Sequence, residues 1–356
     1  MPDIVFIAGI RNRRLESRMR DASPPDVFQL EKISCSFRGR PSLRQWFTSK
    51  VPYIHAVRDV ALTVRKGEVL GIIGESGSGK STLGYLLAHL EKPTSGSILF
   101  HGKAVDRMDA RHDREFRRRV QMIFQDSMAS LNPRRRVVWA IKDALRLGGM
   151  PAGSRASRTL ELAQLVGLSA SYLQCYPHEL SGGQRQRISI ARALAMEPEV
   201  IVADEPVSAL DVSLQGQIVN LLIDLRTKLG LTMVLISHDL AVVRSVSDRI
   251  AVMFGGRVVE YGQTSAIIDH PKHPYTEELI ASVPKGIPGA PSADSNDAEE
   301  PGESAESGCP YANRCAYAMD ECHRRMPERT AHGESHWTLC HRYPQAAAIA
   351  DESATR

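Results

Sequence analysis

Apolar and polar positions change their period several times along the chain, and each change marks an element. Val27 to Phe37 and Val57 to Val64 alternate, the period of a half-buried strand. Between them, Gly39 to Pro52 reads as a loop or hairpin excursion. Glu68 to Gly74 is an apolar run ending in a Gly-rich turn, which predicts a buried strand. Ser81 to Leu90 has helical spacing and is closed by Pro93, and Gly96–Gly102 and Val120–Gln125 predict further strands. From Pro133 to Met196 the pattern is mostly helical. Glu199–Glu205 and Leu231–Ser237 are apolar runs of strand length, with helical spacing from Leu214 to Leu229 between them. Strands alternating with helices predict an α/β core with a largely parallel sheet. The helical block at about 127–195 is an inserted subdomain.

Composition adds bounds. At ~150 residues per domain, 356 residues suggest about two domains. Apolar residues are 42% and charged residues 24%, an ordinary globular balance. The net charge of +4, from 35 Arg and 10 Lys against 41 acids, gives no argument for a nucleic-acid partner. No run of ~18 apolar residues predicts a membrane span. The short apolar stretch Ile4–Ile10 precedes its basic residues, the reverse of a signal peptide, so the chain reads as cytosolic. Met19 is a candidate start, and residues 1–25 read as an arm. Pro284–Gly308 holds six acids and almost no large apolar residue, which predicts a linker. Of six cysteines, four crowd the segment beyond it, 309–356.

Three motifs carry chemistry. Gly74-Glu75-Ser76-Gly77-Ser78-Gly79-Lys80-Ser81 is a complete G-x-x-x-x-G-K-S between a predicted strand and helix, the context a phosphate-binding loop needs. Its backbone N–H groups and the helix start favour phosphate oxygens. Lys80 would reach the β- and γ-phosphates and Ser81 would meet Mg²⁺. Val200 to Ala203 is an apolar strand that ends in Asp204 and Glu205. Two carboxylates at a buried strand tip need a cation or water, so Asp204 is read as holding Mg²⁺ and Glu205 as the general base. Ser181-Gly182-Gly183-Gln184 opens a helix and is a second candidate anion site. Two phosphate-binding helix starts ~100 residues apart make sense if the second faces another subunit's nucleotide.

Together these motifs and a downstream histidine resemble the ABC-type ATPases, over roughly residues 27–283. The resemblance implies a RecA-like P-loop core with an antiparallel β subdomain and a helical subdomain, spanning 26–283, followed by a small Cys-rich C-terminal domain. It implies that Thr82 joins Ser81 at the phosphates, that Gln125 is the Q-loop glutamine and Mg²⁺ ligand, and that His238 is the switch histidine at the γ-phosphate. Ser208–Asp211 resembles the D-loop at a dimer seam. The family stacks an aromatic residue on adenine. Phe37 fits by strand position, with Tyr53 second, and Trp46 and Phe47 lie in the same excursion. Two ATPs would be held head to tail, with Lys80, Glu205 and His238 of one subunit facing Ser181, Gly182, Gly183, Gln184 and Asp211 of its partner.

Ser130–Arg134, Ala203–Ser213 and His273-Pro274-Tyr275-Thr276 narrow the resemblance to the ATP-binding subunits of oligopeptide/dipeptide importers. The implied partners are a second ATPase subunit, identical or paralogous, two membrane permease subunits and an extracytoplasmic solute-binding protein. The implied location is the cytoplasmic face of the inner membrane. Segment 126–145 would face the permease; Arg117–Arg119 and Arg134–Arg136 equally fit a solvated basic face. The cargo alternatives are nickel, glutathione, an oligosaccharide or another small solute. A soluble, non-transport ATPase is the remaining class. The cysteines run Cys309-x₅-Cys315-x₆-Cys322-x₁₇-Cys340. Neither close gap matches a zinc knuckle. The resemblance implies a [4Fe–4S] cluster. Zinc, with His323, His336 or His341 as spare ligands, and unmetallated thiols stay open.

Overall fold

A computed structural model describes residues 25–39, 53–282, 307–333 and 335–343. Residues 1–24, the part of the excursion that holds Trp46 and Phe47, and the linker from 284 to 306 lie outside the described residues.

Among the described residues, twelve strands follow in chain order: β1 (Asp26–Arg38), β2 (Tyr53–Arg65), β3 (Val69–Ile73), β4 (Ser95–Phe100), β5 (Lys103–Ala104), β6 (Val120–Ile123), β7 (Val200–Asp204), β8 (Thr232–Ile236), β9 (Arg249–Phe254), β10 (Arg257–Gln263), β11 (Arg329–Ala331) and β12 (Trp337–Leu339). They form a four-stranded sheet, β2-β1-β4-β5, and an eight-stranded sheet, β11-β12-β10-β9-β3-β8-β7-β6. The first is antiparallel throughout. In the second, β9, β3, β8, β7 and β6 run parallel, and β10, β12 and β11 add antiparallel to its β9 edge.

The parallel strands explain their own sequences. β3, β7 and β8 are buried at every position because both faces are covered. Successive side chains then serve two cores. Ile201 and Ala203 of β7 pack with the helical subdomain and the carboxyl-terminal helices. Val200 and Val202 pack with the antiparallel sheet and Leu83, Leu86 and Leu87 of helix Lys80–Leu87. The result is a three-layer arrangement. The predicted helical block is three α-helices, Val138–Leu147, Arg155–Leu165 and Gly182–Leu194, joined by short 3₁₀ turns.

The expected Cys-rich domain is not set apart from the cassette. Its strand β12 pairs with β10, Tyr261 opposite Trp337, so residues beyond the linker lengthen the cassette's own sheet. Trp337 is buried against the core shared with β10, and Tyr311 belongs to the other core. A segment this short, with so few apolar residues, gains most of its burial by joining an existing edge.

Candidate functional site

The carboxyl ends of four adjacent parallel strands converge. In lateral order they carry the loop Gly74–Lys80 (after β3), His238 (after β8), Asp204 and Glu205 (β7) and Gln125 (after β6). Ligands of open α/β sheets bind outside these ends.

The loop is built by close backbone approach. A Cβ on Gly79, at φ +98°, would stand 2.1 Å from the carbonyl of Ala56, and one on Gly74 would stand 2.1 Å from that of Met253. Only glycine fits either place. Helix Lys80–Leu87 starts directly from Gly79 with no side-chain cap, which leaves its first N–H groups open to an anion. Lys80 is buried, and its Nζ donates to the carbonyls of Gly74 and Glu75 at 2.7 Å each and to Ser78 Oγ at 3.4 Å. Burial pulls the Lys80 pKa down, while Glu205, Asp204 and Glu75 oppose that shift. Ser76 and Gly77 are exposed at the loop tip; Ser81 and Thr82 are half-buried in the first helical turn.

Three contacts tie the strand ends into one constellation. Ser81 Oγ donates to Asp204 Oδ1 at 3.0 Å. Asp204 is buried, and burial pushes its carboxyl pKa up despite that bond and nearby Lys80. A buried carboxylate of this kind gains most from a cation. Glu205 divides its two oxygens: Gln125 Nε2 donates to Oε2 at 2.8 Å, and His238 Nδ1 stands 3.1 Å from Oε1. Glu205 also sits at φ +43°, a left-handed conformation rare for a non-glycine residue and common at functional positions. All four strand-end predictions, Gln125, Asp204, Glu205 and His238, thus meet beside Lys80 and Ser81.

Ser181 lies elsewhere. It caps helix Gly182–Leu194 in a reciprocal box: Ser181 N donates to Gln184 Oε1 at 2.9 Å, and Gln184 N donates to Ser181 Oγ at 3.3 Å. Gly182 and Gly183 lie against Leu210 and Leu214, so this helix start packs on the segment around Asp211, itself the exposed N-cap of the next helix. Among the described residues, no hydrogen bond or ion pair joins Ser181–Gln184 to Gly74–Thr82.

Phe37 and Tyr53 are both exposed at the end of the β1–β2 pair where the connection between the two strands begins, and Ala56, whose carbonyl approaches Gly79, lies three residues along β2. Their neighbouring registers, Phe37 opposite Ile54 and Arg38 opposite Tyr53, set them on opposite faces of the hairpin.

Cys309, Cys315, Cys322 and Cys340 line one small cavity, and Cys309 N donates to the carbonyl of Cys322 at 2.8 Å. Burial pushes the Cys309 thiol up to about 11 and raises Cys340 as well. Among the described residues, no group of three or more His, Cys, Asp or Glu stands close enough to hold a metal ion. Of the spare histidines, His336 hydrogen-bonds Glu260 at 2.8 Å, His341 contacts the carbonyl of Arg325 at 3.0 Å, and His323 is exposed.

Two residues at this site were not read from the sequence as site residues. Tyr275 is fully buried and its hydroxyl accepts the Glu75 N–H at 2.8 Å. Arg314, from the Cys-rich segment, grips the Glu75 carboxylate with two bonds, 2.8 and 2.9 Å. Tyr275 falls in the His273–Thr276 motif, the one sequence sign of it; Arg314 gave none.

Residues 57–208 match the family model described as ABC transporter, and residues 259–322 match that of the oligopeptide/dipeptide transporter C-terminal region. The oligopeptide transport ATP-binding protein AppF of Bacillus subtilis (strain 168) is 41% identical over 342 residues, covering 91% of this chain and 100% of that protein. A relative in Brucella abortus (strain 2308), named as a peptide import ATP-binding protein, is 47% identical over 292 residues, 82% of this chain and 87% of its own. Among solved structures, the ATP-binding cassette MJ0796, a dimer in a post-hydrolysis state bound to ADP and Pi, aligns with a TM-score of 0.59 at 30% identity, over 67% of this chain and 98% of that one. The converging strand ends, the loop that closes on Lys80 and these likenesses agree: the chain belongs to the ABC transporter ATP-binding subunits, in the branch that carries the oligopeptide/dipeptide transporter C-terminal region.

Proposed function

We propose that this chain hydrolyses ATP to drive import of oligopeptides or dipeptides through a membrane transporter. The contact set that carries the reading is Glu205 shared between Gln125 and His238, beside the Ser81–Asp204 pair. The backbone of Gly74–Gly79 and the side chain of Lys80 bind the phosphates. Ser81, Asp204 and Gln125 would hold Mg²⁺, which would supply charge neutralisation at the phosphates. Glu205 takes the proton of the attacking water, and His238 orients Glu205 and contacts the γ-phosphate. Phe37 supports adenine. Ser181–Gln184 and Asp211 serve the nucleotide of a partner ATPase subunit; their separation from this chain's own loop supports that reading, as does the dimeric solved relative.

Among the described residues no helix is long and apolar enough to cross a membrane. The family of peptide import ATP-binding proteins supports a reading in which separate permease subunits form the passage and this chain sits on their cytoplasmic side. The groove between core and helical subdomain, with Phe124, Arg135 and exposed Trp139 in its walls, supports docking of a permease segment against 126–145. Arg117–Arg119 are instead engaged by Asp113, Glu197 and Glu199. Cys309, Cys315, Cys322 and Cys340 line one cavity without any three of them standing close enough to ligate an ion as placed, so the reading of a [4Fe–4S] cluster here rests on their soft-donor chemistry and the family resemblance.

The test is ATP turnover of the complex with its permease and solute-binding subunits. Peptide stimulates it in the expected outcome. Stimulation by nickel, glutathione or an oligosaccharide but not by peptide overturns the cargo. Lys80→Ala that binds ATP as tightly as the native chain overturns the site. Iron and acid-labile sulfide on anaerobically purified protein support the cluster; stoichiometric zinc excludes it.

A further inference from the structure

The phosphate loop is held by residues 200 and 239 positions further along the chain. All polar groups of one loop residue, Glu75, are engaged. Its N–H donates to the Tyr275 hydroxyl at 2.8 Å, and its carbonyl accepts from Lys80 Nζ at 2.7 Å. Arg314 Nη1 and Nη2 donate to its two carboxylate oxygens at 2.8 and 2.9 Å. The same Nη2 donates to Glu278 at 2.7 Å, and the Tyr311 hydroxyl donates to Glu278 too. The guanidinium carbon lies 5.6 Å from the ring centroids of both Phe254 and Tyr311, which fix its plane.

A carboxylate is an odd occupant of a loop that binds polyphosphate, since like charges repel. Left free, Glu75 would oppose ATP and swing toward water. Arg314 cancels that charge through a fork-to-fork pair, the geometry that makes Arg–carboxylate bonds strong. Tyr275 holds the backbone of the same residue, and its ring is locked against Phe254 and Tyr311. The Glu75 carbonyl on which Lys80 rests is therefore set by the carboxyl-terminal segment.

We propose that Tyr275 and Arg314 are positioning residues of the nucleotide site: the carboxyl-terminal segment neutralises and braces Glu75 so that the loop accepts the triphosphate. The proposal rests on the reading that Gly74–Thr82 binds ATP. Lys80→Ala tests that reading alone.

The experiment measures equilibrium binding of MgATP and MgADP to the full chain, with thermal melting of each variant as a folding control. Arg314→Gln weakens ATP about three- to tenfold. ATP suffers more than ADP, because the uncovered carboxylate meets an extra phosphate, and added salt narrows the gap. Arg314→Lys restores part of the loss. In a Glu75→Gln background, the same Arg314→Gln change costs less than twofold, because there is no charge left to cover. Tyr275→Phe keeps the ring, removes the acceptor and weakens ATP about two- to fivefold. An Arg314→Gln variant that binds ATP like the native chain overturns the proposal. So does an equal loss with and without the Glu75 charge, or an equal loss for ATP and ADP; both point to a purely structural role. If Arg314→Gln fails to melt cooperatively, Arg314→Lys decides: it keeps the charge but loses the fork, so a smaller loss that is greater for ATP than for ADP is expected, and an equal loss for the two nucleotides is the overturning result.

Discussion

Glu205 shows how much one side chain is asked to do. Its two oxygens are already engaged by Gln125 and His238, and its backbone is held in a left-handed conformation by the Glu205 N–H bond to Ile236 at 2.9 Å. Glu205→Gln keeps the size and both hydrogen-bonding positions but cannot accept a proton. We expect nucleotide binding to persist while single-turnover hydrolysis falls about 100-fold or more; hydrolysis at the native rate would remove Glu205 as base. A second residue-scale prediction concerns His273, which is 1% exposed. Its Nδ1 accepts the Tyr275 N–H, and its own N–H donates to Glu260. Glu260, Lys272, Tyr275 and Tyr311 surround it. Burial pushes its pKa down from 6.5 to about 4, with Glu260 opposing. The unfolded chain therefore binds the extra proton between those values. Stability from this group is full above about pH 6.5 and is lost as pH falls toward 4, with a slope of roughly 1.4 kcal/mol per pH unit. Melting of His273→Asn should depend less steeply on pH across that window; an unchanged slope would count against the assignment.

Elements were legible where both faces of a strand are covered or where a helix shows one apolar stripe. β3, β7 and β8 announced themselves as apolar runs because the structure buries every residue in them. β9 and β10 were not anticipated. β10 contains Glu260 at its centre, which spoils an apolar pattern, yet that carboxylate is fully buried because His336, Lys272 N and His273 N bond to it. Its partners arrive from other elements, so no local rule finds them. Helix Ala110–Arg119 was missed for a related reason: only Phe116 is buried, and the helix starts on the Asp109 cap rather than on an apolar stripe. Packing between elements also has positions of low tolerance. A Cβ on Gly71 of β3 would lie 2.3 Å from Val243 Cγ1 and 2.6 Å from Ser247 Oγ. Gly71→Ala should cost about 1–3 kcal/mol in denaturant unfolding, because helix Leu240–Val246 must move away from the sheet. A loss under ~0.5 kcal/mol would mean the helix yields freely.

At the scale of the whole molecule, the carboxyl-terminal segment both extends the sheet and reaches the nucleotide loop. Trp337 is the main anchor of the extension: it is buried, its ring centroid lies 5.6 Å from that of Tyr261, and Arg329 covers it at 4.1 Å. Trp337→Ala should lower stability by about 3–5 kcal/mol and weaken ATP binding, since Arg314 depends on the same docked segment. Full stability would show that β12 contributes little to the fold. By itself the sequence determined the α/β class, the phosphate loop, the acidic strand tip and the second helix start. These are local patterns, in which spacing along one strand or one helix turn sets the chemistry. It also marked the four cysteines as one group. Only the tertiary structure decided that Gln125, Glu205 and His238 share one carboxylate, that the cysteine segment joins the main sheet, and that Arg314 and Tyr275 reach Glu75. Those contacts join residues from 33 to 239 positions apart. Charge pairing and strand-edge pairing are short-range forces that depend on where the fold puts the partners, and spacing along the chain carries no record of them.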